Sequence, residues 1–185
     1  MLKWLCGGPG GCFLYASPQA TASLSPAFTG WQAHQHPFDF DGDMHYASGA
    51  WRWLNGTPVI PALFAAIEGP RLLRRAGMQQ IRDKSIRQTS RLIELADARG
   101  YSVTAPRDPD RRGGTVAFDV PHAYGVAQAL LANDVIVDYR PNAGVRIAPH
   151  FYTSDAELER AVDMIDGILR DDGWKEFENR RGVVT

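Results

Sequence analysis

The sequence has little of what several classes of protein require. Its 185 residues include only two cysteines, Cys6 and Cys12, too few for a disulfide framework or for the paired cysteines of a common zinc site. No apolar run approaches the ~20 residues that a membrane-spanning helix needs. The N-terminus lacks the basic region and long apolar stretch of a secretory signal. These absences favour a cytoplasmic protein with reduced thiols.

Charge of either sign is not in excess. The chain carries 20 Lys and Arg residues against 21 Asp and Glu residues, a net charge of −1, which gives no electrostatic reason to expect nucleic acid or an anionic membrane as a partner. The length predicts one domain or two small ones. His34, His36 and His45 lie in a loop-like stretch without helical spacing or nearby cysteine pairs, so no metal site is predicted.

A lysine near the start lies in a setting suited to carbonyl chemistry. Lys3 precedes Trp4 and a glycine-rich turn, Gly7-Gly8-Pro9-Gly10. Desolvation beside an aromatic ring disfavours the ammonium form, and the neutral amine is the form that makes a Schiff base. Glycines let the backbone turn tightly and approach a ligand. Taken alone, however, an exposed lysine before a loop is the commoner interpretation of such a segment.

Hydrophobic periodicity predicts an α/β to α+β fold. In the loop-rich first third, only residues 11–16 are predicted as a strand. A helix opened by Pro58 is predicted to break at Gly69-Pro70, and residues 70–99 are predicted as a second helix with a kink or break at Gly77. The elements predicted beyond Gly100 are strands at residues 101–105, 115–120, 135–137 and 145–148, a helix at 124–133, and a last helix with a capping box from Ser154 to Glu157.

Arg146 is the most unusual charged residue of the second half, because it lies inside an apolar strand. A buried arginine is seldom left without a partner, and its planar fork matches a carboxylate through two hydrogen bonds. From the residues alone, a structural salt bridge with Asp138 is favoured over a bound substrate carboxylate. Arg140 follows Asp138 by two residues, so an internal ion pair is predicted there as well.

Trp31 and Thr57 are ambiguous in the same way. Trp31 offers an apolar body and one N–H donor, which suits a core or interface position and phosphate binding equally. Thr57 precedes a helix-opening proline and is predicted either to cap that helix or to bind a phosphate at its N-terminus.

Five short segments follow one another along the chain: residues 3–10, 30–34, 55–58, 138–140, and 144–149 with Tyr152. The first resembles the cofactor-lysine segment of kynureninases, which belong to the class V aminotransferase group of pyridoxal-phosphate enzymes. The second resembles that family's Gly-Trp-Phe-Gly-His segment, the third the turn that follows it, and the last two its C-terminal substrate-binding segment. The order and spacing resemble the family's from residue 3 to about residue 170.

This resemblance implies a role for each matching residue. Lys3 would be catalytic and would bond covalently to pyridoxal 5'-phosphate. Trp31 and Thr57 would hydrogen-bond the cofactor phosphate. For the substrate, Arg146 would hold the α-carboxylate and His34 would lie near the pocket.

The resemblance also implies the domain organisation. The expected fold is the C-terminal part of a fold-type-I transferase, with most of its large domain absent. Residues 1–69 would be a remnant of that cofactor domain, residues 70–100 a linking helix, and residues 101–185 a small C-terminal domain. A homodimer, or a partner chain that supplies the missing large domain, is expected.

The implied activity is hydrolysis of small 3-acylalanine amino acids in tryptophan catabolism, with L-kynurenine giving anthranilate and alanine. Gln32 replaces the family's aromatic residue, which favours another class V activity, transamination or desulfuration, as an alternative. Leu2 replaces a residue that often donates a hydrogen bond. The absent upstream half suggests a third possibility, a truncated non-catalytic remnant or dimerisation module that binds the cofactor weakly and does not turn over.

Overall fold

The computed structural model describes residues 1–179, which fall into two compact units, Met1–Ala76 and a second unit that begins at Gly77. We call them the N-terminal unit and the C-terminal unit. The boundaries predicted at residues 69 and 100 stay predictions. Within residues 1–179, no helix has the length and apolar character required to cross a membrane.

The N-terminal unit is built from short helices joined by long loops. The helices are α1 (Pro18–Ser23), two 3₁₀ turns (Trp31–Ala33 and Gly49–Trp53), α2 (Ile60–Ala65) and α3 (Glu68–Ala76). The strand predicted at residues 11–16 is wrong, because this segment pairs with no other strand and an apolar run forms a strand only where a ladder is available.

The predicted helix boundaries need small corrections. Helix α2 begins at Ile60, two residues after Pro58. The break after α2 falls before Glu68, so Pro70 lies in the first turn of α3, where a missing N–H leaves no helical bond unmade. Gly77 separates α3 from the next helix with φ of 85°, and the break predicted there is confirmed.

Within residues 77–179, the C-terminal unit packs three helices and a four-stranded antiparallel sheet. Its elements are α4 (Met78–Ala98), β1 (Ser102–Val103), β2 (Val116–Asp119), α5 (Ala123–Ala132), β3 (Asp138–Arg140), β4 (Gly144–Ile147) and α6 (Asp155–Arg170). The strand order is β1-β2-β4-β3. The capping box of Ser154 and Glu157 is confirmed. The strand predicted at residues 135–137 is wrong, since Val135 and Val137 pack beside the core in the connection before β3.

One face of this sheet is buried under the helices. Its buried strand residues are Val116, Phe118, Val145 and Ile147, and the helices contribute Leu92, Val126, Leu130, Leu158, Val162 and Ile165. Side chains alternate along a strand, so Arg146, between two buried neighbours, points to the opposite face. We call this second face, with Ala117, Asp138, Arg140 and Arg146, the polar face.

Gly144 is the position in this unit where the fold most strictly requires glycine. Its φ is 85°, and a Cβ there would lie 2.3 Å from the carbonyl oxygen of Phe118. We expect Gly144→Ala to lower the free energy of unfolding by about 3 kcal/mol, because left-handed strain of about 1–2 kcal/mol adds to a backbone clash. Urea denaturation of the whole chain measures this.

Gly100→Ala is the matched control for that substitution. Gly100 has φ of 72° but no heavy atom within 4 Å of its Cβ position, so it should lose only the strain, about 1 kcal/mol. Equal losses of unfolding free energy in the two variants would show that the backbone clash at Gly144 does not contribute.

Candidate cofactor and substrate site

The lysine segment forms a tight turn closed by backbone hydrogen bonds. The Cys6 N–H donates to the Lys3 carbonyl at 2.9 Å, and the Gly7 N–H donates to the Met1 carbonyl at 3.0 Å. The Met1 ammonium donates to the Gly11 carbonyl at 3.0 Å. Lys3 itself is exposed, so the desolvation expected beside Trp4 is not observed. The turn therefore presents the Lys3 amine to solvent.

Helix α3 fixes the position of this turn through a glycine contact. A Cβ at Gly69 would lie 2.1 Å from the Leu5 carbonyl oxygen and 2.5 Å from that of Cys6. Only a residue without a side chain allows the two backbones to approach so closely. The sequence pattern predicted Gly69 only as a helix breaker, and no periodicity could have revealed this packing role.

The chain has three lysines, and Lys3 differs from the other two. The Lys84 amine donates to the Phe151 carbonyl at 2.7 Å, and the Lys175 amine pairs with Asp172 at 2.6 Å. Within residues 1–179, no hydrogen bond or ion pair engages the Lys3 amine. Lys3 is therefore the lysine whose amine is uncommitted in the part of the chain that the structure describes.

The structure brings the Trp31 segment against the Asn55-Gly56 turn. The Gly30 N–H donates to the Leu54 carbonyl at 3.3 Å, and the Gln32 N–H donates to the Asn55 carbonyl at 3.1 Å. A Cβ at Gly30 would lie 2.3 Å from the Asn55 carbonyl oxygen. Two segments predicted to bind the same phosphate are thus neighbours.

Space remains beside the indole N–H of Trp31. The one heavy atom within 4 Å of a Cβ built on Gly56 is the Trp31 Nε1, at 3.9 Å. The Trp31 ring packs edge-on against Phe38 with centroids 5.4 Å apart. Thr57 is exposed and does not cap α2, whose N-cap is Val59. The N-cap interpretation of Thr57 is therefore wrong, and its hydroxyl stays free of that helix.

His34 is buried, and both of its ring nitrogens engage the backbone. Nδ1 lies 3.0 Å from both the amide nitrogen and the carbonyl oxygen of His36, and Nε2 lies 3.2 Å from the Asp43 carbonyl oxygen. With the ring proton on Nε2, Nδ1 accepts from the His36 N–H and Nε2–H donates to the Asp43 carbonyl. His34 therefore holds the loop of residues 35–45 closed, and its predicted place near the substrate pocket stays a prediction.

Arg146 pairs across the sheet with Asp138, its register partner on β3. Its Nε donates to one Asp138 oxygen at 2.7 Å, and an Nη donates to the other. The Asp138 hydrogen bond raises the pKa of Arg146, opposed by partial burial. Arg140 also contacts Asp138, at 3.1 Å, so both predicted ion pairs are present. Arg146 is therefore a permanently charged donor on the polar face.

The predicted site residues divide between the two units. Lys3, Trp31, His34 and Thr57 lie in the N-terminal unit, whereas Arg146 lies in the C-terminal unit. Cys6 and Cys12 are both exposed. Among residues 1–179, no group of three or more His, Cys, Asp or Glu side chains is arranged to hold a metal ion.

Comparison with known families shows which proteins this chain is similar to. Residues 81–165 match the family model of the kynureninase C-terminal domain. The kynureninase of Bacillus thuringiensis subsp. konkukian (strain 97-27) is 32% identical over 191 residues, covering 99% of this chain and 44% of the relative. That of Pseudomonas fluorescens is 32% identical over 190 residues, covering 98% and 46%. The chain is kynureninase-like. It spans less than half the length of these curated relatives.

Solved structures share the fold of this kynureninase-like chain. The apo cysteine desulfurase of Thermococcus onnurineus NA1 superposes with a TM-score of 0.71 at 22% identity, covering 85% of this chain and 42% of that one. The cystine C-S lyase C-DES, in complex with cysteine persulfide, gives a TM-score of 0.68 at 17% identity, covering 82% and 40%. Identities this low establish the fold alone. They confirm the predicted mixed α/β fold.

The structural role of His34 can be tested at a single amide. His34→Phe keeps an aromatic ring but removes the acceptor of the His36 N–H. We expect exchange of the His36 amide to rise roughly five- to tenfold, since one such hydrogen bond contributes about 1 kcal/mol. Hydrogen exchange followed by NMR measures this.

His45→Phe is the control, because the His45 ring contacts His34 with centroids 5.8 Å apart but is not the acceptor of that N–H. Unchanged protection of the His36 amide in the His34→Phe variant would show that the loop is held in another way.

Proposed function

We propose that this chain supplies the covalent lysine and the carboxylate-binding arginine of a pyridoxal-phosphate-dependent, kynureninase-like hydrolase. The observation that carries the proposal is the uncommitted amine of Lys3, on a turn whose backbone is fixed by Gly69. The kynureninase relatives, which match nearly the whole chain, support the reaction class. The proposed substrate is a small 3-acylalanine amino acid such as L-kynurenine.

The donor set fits pyridoxal phosphate in chemical type. An exposed primary amine suits the aldehyde of the cofactor. The Trp31 N–H and the Thr57 hydroxyl suit its phosphate, and the side of Gly56 that faces Trp31 Nε1 is uncrowded. These residues would hold the cofactor, which would supply an electron sink for the substrate α-carbon.

The chain's own residues would orient the substrate and move protons. Arg146 would hold the α-carboxylate through two parallel N–H bonds and so fix which bond at the α-carbon is aligned for cleavage. Water adds to the side-chain carbonyl carbon, the bond between that carbon and Cβ breaks, and Cβ receives a proton. Lys3 is the proposed proton carrier, since its amine has no competing partner among residues 1–179. The products are anthranilate and alanine.

Two alternatives each have an observation in their favour. Gln32, in place of an aromatic residue, favours another class V activity, transamination or desulfuration. The N-terminal unit also exposes large aromatic side chains, with Phe13, Tyr15, Phe28, Phe40 and Phe64 each at least 71% exposed. Apolar surface on this scale is typical of an interface, which favours association with a second copy or a partner chain, with or without catalysis.

Covalent trapping tests the lysine assignment. The 185-residue chain is equilibrated with pyridoxal phosphate, reduced with borohydride and mapped by mass spectrometry. We expect one label per chain, at Lys3, because the Lys84 and Lys175 amines are engaged elsewhere. Lys3→Ala should abolish the label.

Lys84→Ala is the control and should leave the labelling unchanged. Labels scattered over Lys84 and Lys175 would contradict the proposed function.

The exposed aromatic surface predicts association independently of the cofactor. Light scattering of the purified chain should give a mass of at least two copies, because burying this surface removes apolar area from water. A monodisperse monomer across the micromolar range would exclude self-association and leave a different partner chain as the occupant.

A further inference from the structure

We propose that Asp138 is a positioning residue, which holds the Arg146 guanidinium by one edge and presents the other edge to a substrate carboxylate. The inference rests on the proposed function of Arg146. It adds a residue that the resemblance did not assign, and it predicts which nitrogen atoms of the arginine meet the ligand.

Asp138 leaves several N–H donors of Arg146 unused. A guanidinium carries five N–H groups, and Asp138 takes the Nε–H and one N–H of Nη2. Within residues 1–179, no acceptor engages Nη1 of Arg146. The edge formed by Nη1 and Nη2 still has parallel N–H groups, which is the geometry that binds a second carboxylate through two bonds.

The net charge around Arg146 also favours binding of a carboxylate at its Nη1–Nη2 edge. Arg140 and Arg146 share the single carboxylate of Asp138, so the three side chains together carry a net charge of +1. The Arg146 side chain is 35% exposed, so that charge is partly withdrawn from water yet reachable. One further carboxylate would neutralise the cluster, whereas a neutral ligand would not.

Asp138 is itself held in place. It would therefore position the Arg146 guanidinium and would not compete with a ligand carboxylate for it. Antiparallel register sets it directly opposite Arg146, and Arg140 binds one of its oxygens at 3.1 Å. A carboxylate anchored by two cations and by the sheet is poorly placed to leave when a ligand arrives. The ligand would therefore join Asp138 on Arg146 and would not replace it.

The experiment follows the Arg146 side-chain nitrogens by NMR in the full chain without cofactor. L-kynurenine is the probe, and its decarboxylated analogue is the matched ligand without a carboxylate. We expect L-kynurenine to shift the Nη1 signal of Arg146 while the Nε–H signal, bonded to Asp138, stays unchanged. The analogue should shift neither. This readout needs no variant, so it stands even if a substitution disturbs folding.

Asp138→Asn is expected to weaken the L-kynurenine response of Arg146 by about tenfold, because the neutral amide holds the guanidinium less firmly. Asp163→Asn is the control, since Asp163 makes an Asp–Arg pair with Arg99 elsewhere in the unit, at 2.6 Å, and it should leave the response unchanged. A shift of the Nε–H signal on binding, or equal or tighter binding by Asp138→Asn, would overturn the inference. So would the absence of any response to L-kynurenine.

The outcome is separable from that of the proposed function. Labelling at Lys3 without an Arg146 response would refute the Asp138 inference and leave the lysine assignment standing. An Arg146 response without Lys3 labelling would refute the lysine assignment and leave the Asp138 inference standing.

Discussion

Burial of a single face of a small antiparallel sheet is the constraint on which the C-terminal unit depends. Val145 and Ile147 must pack against the helices, and because strand side chains alternate, Arg146 must then lie on the opposite face. The same register places Asp138 beside it. A slip of one residue would bury the arginine and expose the two apolar side chains. The packing of the core therefore fixes where the proposed carboxylate site lies.

The N-terminal unit is organised by backbone contacts more than by buried side chains. Helix α3 approaches the lysine turn at Gly69, and the Trp31 segment approaches the Asn55-Gly56 turn at Gly30. These contacts leave Lys3 and Thr57 exposed. Many aromatic side chains of the same unit are exposed as well. An active-site wall and an interface require the same kind of surface, which is why a catalytic and an associating role both remain consistent with this unit.

Sequence patterns predicted the C-terminal unit better than the N-terminal unit. Periodic apolar residues placed α4 and α6, and the capping box at Ser154 fixed where α6 begins. The strand predicted at residues 135–137 was wrong because an apolar run can pack beside the core as a connection without pairing with another strand. The strand predicted at residues 11–16 was wrong because an apolar run does not reveal whether a partner strand exists. Among the site residues, the pairing of Asp138 with Arg146 was predicted from the sequence, since their types are complementary, and it is confirmed. The packing of Gly69 and the hydrogen bonds of His34 depend on contacts between distant segments, which no local pattern records.

We propose that a fixed turn presents Lys3 as a covalent site for pyridoxal phosphate. The decisive measurement is a visible-absorption titration of the purified chain with pyridoxal phosphate, with Lys3→Ala as the reference. We expect a band that saturates at one cofactor per chain and is missing from the variant. A band that rises without saturation, and equally in both proteins, would show only the reaction of an ordinary surface amine, and Lys3 would then not be a cofactor site.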